Sequence, residues 1–294
     1  MRPSWNRRLF GAVASVAAVA AAAASAIAPA ATHGAKVADT TLHIAMSDGA
    51  LTVDRHSVPA GRTLVSVATT GRQAHALMLA RLEDGVTPAR FKRALNTKDG
   101  QAAVSLASFR GGIDSLPPAG TTWQMVTDLR PGTYVVVDHA ENGGKPNFDR
   151  GGFSTVRVTG SQGPQTAVPA ARGSIEMVDF AFRIHLSRTF HGRGWIRFAN
   201  RGHDIHRIIL LRLNPGVSFA KADAAIHTHN ENNQHERPPG LPIELIGAVS
   251  PGFDGYLKLN LPPGRYVAAC FEADASTHFV PHTDLGMIGH FTIA

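Results

Sequence analysis

The chain has a single cysteine, Cys270, in 294 residues. An intramolecular disulfide is therefore excluded, and a lone thiol outside the cytoplasm is an oxidation hazard unless buried, ligated or paired with another chain. Charge is sparse at 17% of residues, with no basic run and no aromatics interleaved among the charges, so nucleic-acid binding has no footing. Helical periodicity is scarce after residue 30, and the sequence carries no Ser-His-Asp motif or carboxylate pair suited to acid–base work. Turn chemistry is abundant instead. The 29 glycines and 18 prolines, with a 44% apolar share, fit a turn-rich globular β protein.

Residues 1–30 read as an export signal. Arg2, Arg7 and Arg8 form a basic head, an alanine-rich apolar run follows, and Ala28-Pro29-Ala30 offers a small-residue cleavage pattern. Arg7-Arg8-Leu9-Phe10 resembles a twin-arginine signal. The apolar run is too short and alanine-rich for a convincing span, so the mature chain is expected to be periplasmic or extracellular, with no membrane span. Losing three arginines and no acids lowers the formal charge from +7 to about +4, a balance that serves solubility.

The chain repeats itself. Residues 71–86, GRQAHALMLARLEDGV, match residues 202–217, GHDIHRIILLRLNPGV, at seven of sixteen positions without a gap, and LRPGTYV (129–135) matches LPPGRYV (261–267) at five of seven. Two diverged copies follow, a first domain over 36–159 and a second over 174–294. Between them, 160–173 has the Gly/Ser/Gln/Pro/Ala composition of a linker. Leu257, Leu259 and Leu261 alternate with Tyr256, Lys258 and Asn260 as in a half-buried strand, while HRIILLRL and RYVAACF read as inner strands. One short helix per copy is expected after each Gly-Val pair, capped by Thr87 and Ser218. The predicted fold class is all-β: two tandem Greek-key sandwiches of about seven strands each, with a short helical excursion.

Chemistry concentrates in the second copy, which holds ten of the fifteen histidines as well as the cysteine. His206 opens an apolar strand, Cys270 lies late in YVAACF, and His282 and Met287 follow with four residues between them. Two imidazoles, a thiolate and a thioether make the donor set of a type 1 copper site, soft enough for Cu(I) and nitrogen-rich enough for Cu(II). The second half resembles the cupredoxins, the plastocyanin/azurin superfamily. Asn200-x5-His206 before an apolar strand, Tyr266-x3-Cys270, and His282-x4-Met287 are similar to that family's motifs. The resemblance covers 174–294 directly and 40–158 through the repeat. It implies His206 and His282 as imidazole ligands, Cys270 as thiolate and Met287 as axial ligand. Eleven residues part Cys270 from His282, more than in familiar members, which leaves His278 and His203 as substitutes. A metal-free sandwich with Cys270 as a small buried apolar residue is the alternative.

The first copy keeps His75 at the position of His206, but Asp138 stands in place of Cys270 and Asn147 in place of His282. No copper site is expected there, and His75 reads as structural. A second candidate metal site is the loop carrying His227, His229 and His235. One-electron transfer by copper in the second domain is the expected function, with an unknown redox or copper-handling partner. Copper buffering or delivery, and a metal-free binding module, stay open beside it. An enzyme is not expected, because Cys270 is flanked by Ala269 and Phe271 rather than histidines, and only one His-x-His pair occurs.

Overall fold

The computed structural model describes residues 40–97, 101–116, 122–228, 239–273 and 276–294. The export-signal residues, and His229 and His235 of the histidine loop, lie outside the described residues.

The first half contains β1 (Thr41–Ser47), β2 (Ala50–Val53), β3 (Ser57–Thr69) and β4 (His75–Leu82). Two short helices follow, α1 (Pro88–Leu95) and α2 (Gln101–Val104), the second of which the sequence reading lacks. Then come β5 (Ala107–Leu116), β6 (Thr122–Leu129), β7 (Gly132–Asp138), the two-residue strands β8 (Glu141–Asn142) and β9 (Lys145–Pro146), and β10 (Phe153–Gln162). The second half contains β11 (Ala171–Val178), β12 (Ala181–Leu186), β13 (Arg193–Asn200), β14 (His206–Leu213), α3 (Phe219–Thr228), β15 (Gly240–Val249), β16 (Asp254–Asn260), β17 (Gly264–Ala269) and β18 (Ile288–Ile293).

Strand order shows that the sequence repeat is a structural one. In the first half β2-β1-β3-β6 form one sheet and β10-β7-β4-β5 the other; in the second, β12-β11-β13-β16 and β18-β17-β14-β15 repeat both orders. Each half is a Greek-key sandwich, and the all-β class follows. β4 and β14 read as apolar runs because helices cover their outer faces. Phe91 and Ala94 of α1 pack on Met78, Ala80 and Leu82, and Ala222 and Ile226 of α3 pack on Leu213 and Val267. The expected caps form: Thr87 accepts from the Arg90 N–H, and Ser218 from that of Lys221.

The halves join strand to strand, which no periodicity in the sequence encodes. β6 pairs with β16, and Leu257 faces Met125, its own counterpart under the shift that aligns LPPGRYV with LRPGTYV. Antiparallel pairing of equivalent strands about equivalent residues places a local two-fold axis there. Lys258 Nζ donates to Gln124 Oε1 across it at 3.1 Å, and β15 meets β5 at Val249 and Arg110. One apolar core runs continuously through Trp123, Met125, Phe253 and Leu257. The stretch read as a linker holds the end of β10 and the start of β11. Its middle is strapped to the first half, where Thr166 donates through its hydroxyl to the Thr40 carbonyl at 2.9 Å.

Candidate metal centre

Four neighbouring positions meet at one end of the second half's inner sheet. His206 is the first residue of β14, Cys270 follows the last residue of β17, and Met287 precedes the first residue of β18. Antiparallel pairing of β17 with β14 (Ala269 to Ile209) and with β18 (Ala269 to Ile288) brings these ends together. Cys270 N donates to the Met287 carbonyl at 3.3 Å, and Met287 N to the His282 carbonyl at 2.9 Å, which ties the fourth position in.

The eleven-residue spacer does not spread the site. His282 N donates to the Glu272 carbonyl at 2.8 Å, so the spacer closes on itself two residues past Cys270. Its residues 278–280 are turned outward, with Phe279 and Val280 exposed. His278, read as a substitute ligand, is on that outward stretch. His203, the other substitute, is exposed and donates from Nδ1 to Asp179 Oδ2 at 2.7 Å. Neither joins the cluster.

The cluster itself is His206, Cys270 and His282, all fully buried. The two Nδ1 atoms lie 3.1 Å apart, and Cys270 Sγ lies 3.9 Å from that of His206 and 3.6 Å from that of His282. Edges of this length let one ion reach all three donors through ordinary bonds of about 2.0–2.3 Å. Among the described residues this is the one group of three or more such side chains that could hold a metal. The chemistry of the set, one sulfur and two imidazole nitrogens shielded from water, fits type 1 copper. Burial pushes the Cys270 thiol up to about 12, with Glu272 adding to the effect, so without a cation the sulfur keeps its proton. Met287 is buried in the same core.

The surroundings fix the imidazoles. Asn200 Nδ2 donates to the carbonyls of Asp204 and Val249 at 2.8 and 2.9 Å, and its Oδ1 accepts from Gly202 N at 3.0 Å, bracing the turn into His206. A Cβ on Gly202 would lie 2.8 Å from His206 Nε2 and 2.4 Å from Asp179 Oδ1, so this turn approaches the ring closely enough to require glycine. The Phe180 ring meets His282 edge-on at 5.1 Å. Phe180, His278 and Phe279 all carry positive φ, a costly conformation for such residues, and all flank His282 in sequence or space.

The first half shows what became of the same place. His75 Nδ1 donates to Asp138 Oδ2 at 2.7 Å and Asn147 Nδ2 to the same oxygen at 2.9 Å, while Asp138 Oδ1 accepts from the N–H groups of Ala76 and Ala140. His75, read as structural, is held by this buried carboxylate. Of the histidine loop only His227 is described. It stands in the last turn of α3, exposed, with Nδ1 3.4 Å from Asp284 Oδ1.

No protein-family model and no curated protein matches the chain. Among solved structures it is similar to reduced auracyanin from the photosynthetic bacterium Roseiflexus castenholzii, at 21% identity over 42% of this chain and 98% of that one, TM-score 0.29. It is also similar to a multicopper oxidase, at 13% identity over 87% and 88% of the two chains, TM-score 0.23. A third is the copper nitrite reductase from Nitrosomonas europaea, at 14% identity over 88% and 94%, TM-score 0.22. The last two are enzymes, and the expectation that this chain is not an enzyme is withdrawn. Counting His-x-His pairs tests one arrangement of copper ligands, whereas ligands from distant strands can assemble without a local motif.

Proposed function

We propose that the protein binds one copper ion, which His206, Cys270, His282 and Met287 would hold, and uses it for one-electron transfer. The observation that carries this reading is the triangle of buried donors, 3.1 to 3.9 Å on its edges. When bound, copper supplies a Cu(I)/Cu(II) couple. The chain's own residues hold the donors in place, exclude water and limit rearrangement when the charge changes. A closed site of fully buried donors also favours retention over exchange, which supports a carrier above a buffer or delivery protein. His282 is itself fully buried, while its loop exposes Phe279, Val280 and Leu285 on either side of it in sequence. A redox partner would approach there.

The basic, alanine-rich amino-terminal segment supports export to the periplasm or beyond, with the twin-arginine pair as the candidate route. No helix among the described residues is long and apolar enough to cross a membrane. The first domain, 36–159, would serve as a scaffold without copper, its His75–Asp138–Asn147 network filling the site's place.

The reading is tested by titrating the copper-loaded protein with ascorbate and then with ferricyanide while following its visible band. Reversible bleaching with copper retained supports the carrier. Loss of copper to a chelator within minutes would instead indicate delivery, and failure to take up copper would leave a metal-free binding module.

A further inference from the structure

An ion pair straddles the metal centre in the second half and has no counterpart in the first. Arg207 Nε donates to Glu272 Oε1, and the two side chains are only 13% and 15% exposed. Arg207 directly follows His206, and its backbone N–H donates to Cys270 Sγ at 3.4 Å. Glu272 lies two residues beyond Cys270, and its carbonyl accepts from His282 N at 2.8 Å. One ion pair thus links the backbone next to all three donors. The equivalent positions of the first half are Ala76 and Ala140, whose N–H groups serve Asp138 with no side-chain clasp between them.

We infer that Arg207 and Glu272 are positioning residues for the metal centre: together they clasp the backbone N–H that donates to the sulfur to the backbone carbonyl that holds His282, and balance each other's charge beside the ion. This rests on the copper reading above. The first half needs no such clasp, because a carboxylate whose Oδ2 accepts from His75 and Asn147 and whose Oδ1 accepts from the Ala76 and Ala140 N–H groups is already fixed on both oxygens. A sulfur held by one Cβ–S bond and one long N–H contact has fewer restraints, and the alignment of its donor tunes the redox couple. The partly buried pair is screened less than a surface one, so removing one charge leaves a net field at the ion.

The signs separate a charge-balancing clasp from mere support. Oxidation adds a positive charge at the site, so Glu272→Gln, which leaves Arg207 uncompensated, raises the reduction potential. Arg207→Gln, which leaves Glu272 uncompensated, lowers it. The double variant returns close to wild type in potential but releases copper to a chelator several-fold faster. In the metal-free protein, all three variants exchange the His282 amide hydrogen several-fold faster than wild type. The double variant leaves no lone buried charge and keeps the test readable should a single variant fail to fold. Shifts of the same sign in the two single variants, or unchanged exchange and potential throughout, would overturn the inference while leaving the copper reading intact. A wild-type protein that binds no copper would overturn both.

Discussion

Asp138 and Cys270 stand at equivalent positions in the two halves, and one equivalent backbone N–H, that of the residue after His75 or His206, serves each. Ala76 N donates to the Asp138 carboxylate at 3.0 Å, and Arg207 N to the Cys270 sulfur at 3.4 Å. The place is built to receive an anion. In the first half a carboxylate is present outright; in the second the sulfur becomes an anion when a cation takes the place of its proton. This is why a thiol that burial disfavours as thiolate still suits a metal.

Cys270 is expected to be inert in the metal-free folded protein. With the thiol pushed up to about 12 and fully buried, a disulfide reagent at pH 8 meets almost no thiolate and no access. Reaction should be at least tenfold faster in denaturant, as read by the absorbance of the released reagent. Rapid reaction of the native protein would show an open site.

Asp138→Ala should destabilise the fold without touching the copper centre. It removes one member of a buried hydrogen-bonded pair with His75 and strips Asn147 of its acceptor. Loss of about 3–5 kcal/mol is expected, seen as a lower urea midpoint, while copper stoichiometry stays the same. An unchanged midpoint would mean the network contributes nothing to stability.

Gly202→Ala should disturb the metal site from outside the ligand set. The added Cβ meets His206 Nε2 and Asp179 Oδ1 at distances no ordinary contact reaches, so the ring or the turn must shift. The variant should fold, bind copper more weakly and show a displaced visible band. A spectrum superposable on wild type would show that the turn yields freely.

His203 offers a pH signature. Its hydrogen bond to Asp179 raises the histidine above its ordinary 6.5 and lowers the aspartate. The pair's contribution from His203 is therefore complete below about pH 6.5 and fades as pH rises through the raised value; that from Asp179 is lost as pH falls below the ordinary carboxylate range. NMR titration should find His203 above 6.5 in the wild type and back near it in Asp179→Asn. Both groups are exposed, so the effect on stability is slight.

Much of this was legible in the sequence, and the limits have physical causes. The repeat and the strands show because Leu257, Leu259 and Leu261 must alternate and HRIILLRL must be apolar on both faces. His206, Cys270 and His282 show because a donor set is a matter of residue type. The clasp of Arg207 and Glu272 does not, since 65 residues separate the partners and no periodicity joins them. Asp138 looked like a lost cysteine, because its role depends on His75, 63 residues away, and on Asn147. The pairing of β6 with β16 was hidden for a like reason: register between strands is fixed by packing, and both strands have the same alternation.

The most direct measurement adds one equivalent of Cu(II) to the metal-free mature chain and compares visible absorption of wild type with Cys270→Ala. An intense blue thiolate-to-copper band in the wild type, absent from the variant, is the predicted result. A colourless wild type, or a band that survives loss of the sulfur, would contradict a copper centre built on His206, Cys270 and His282.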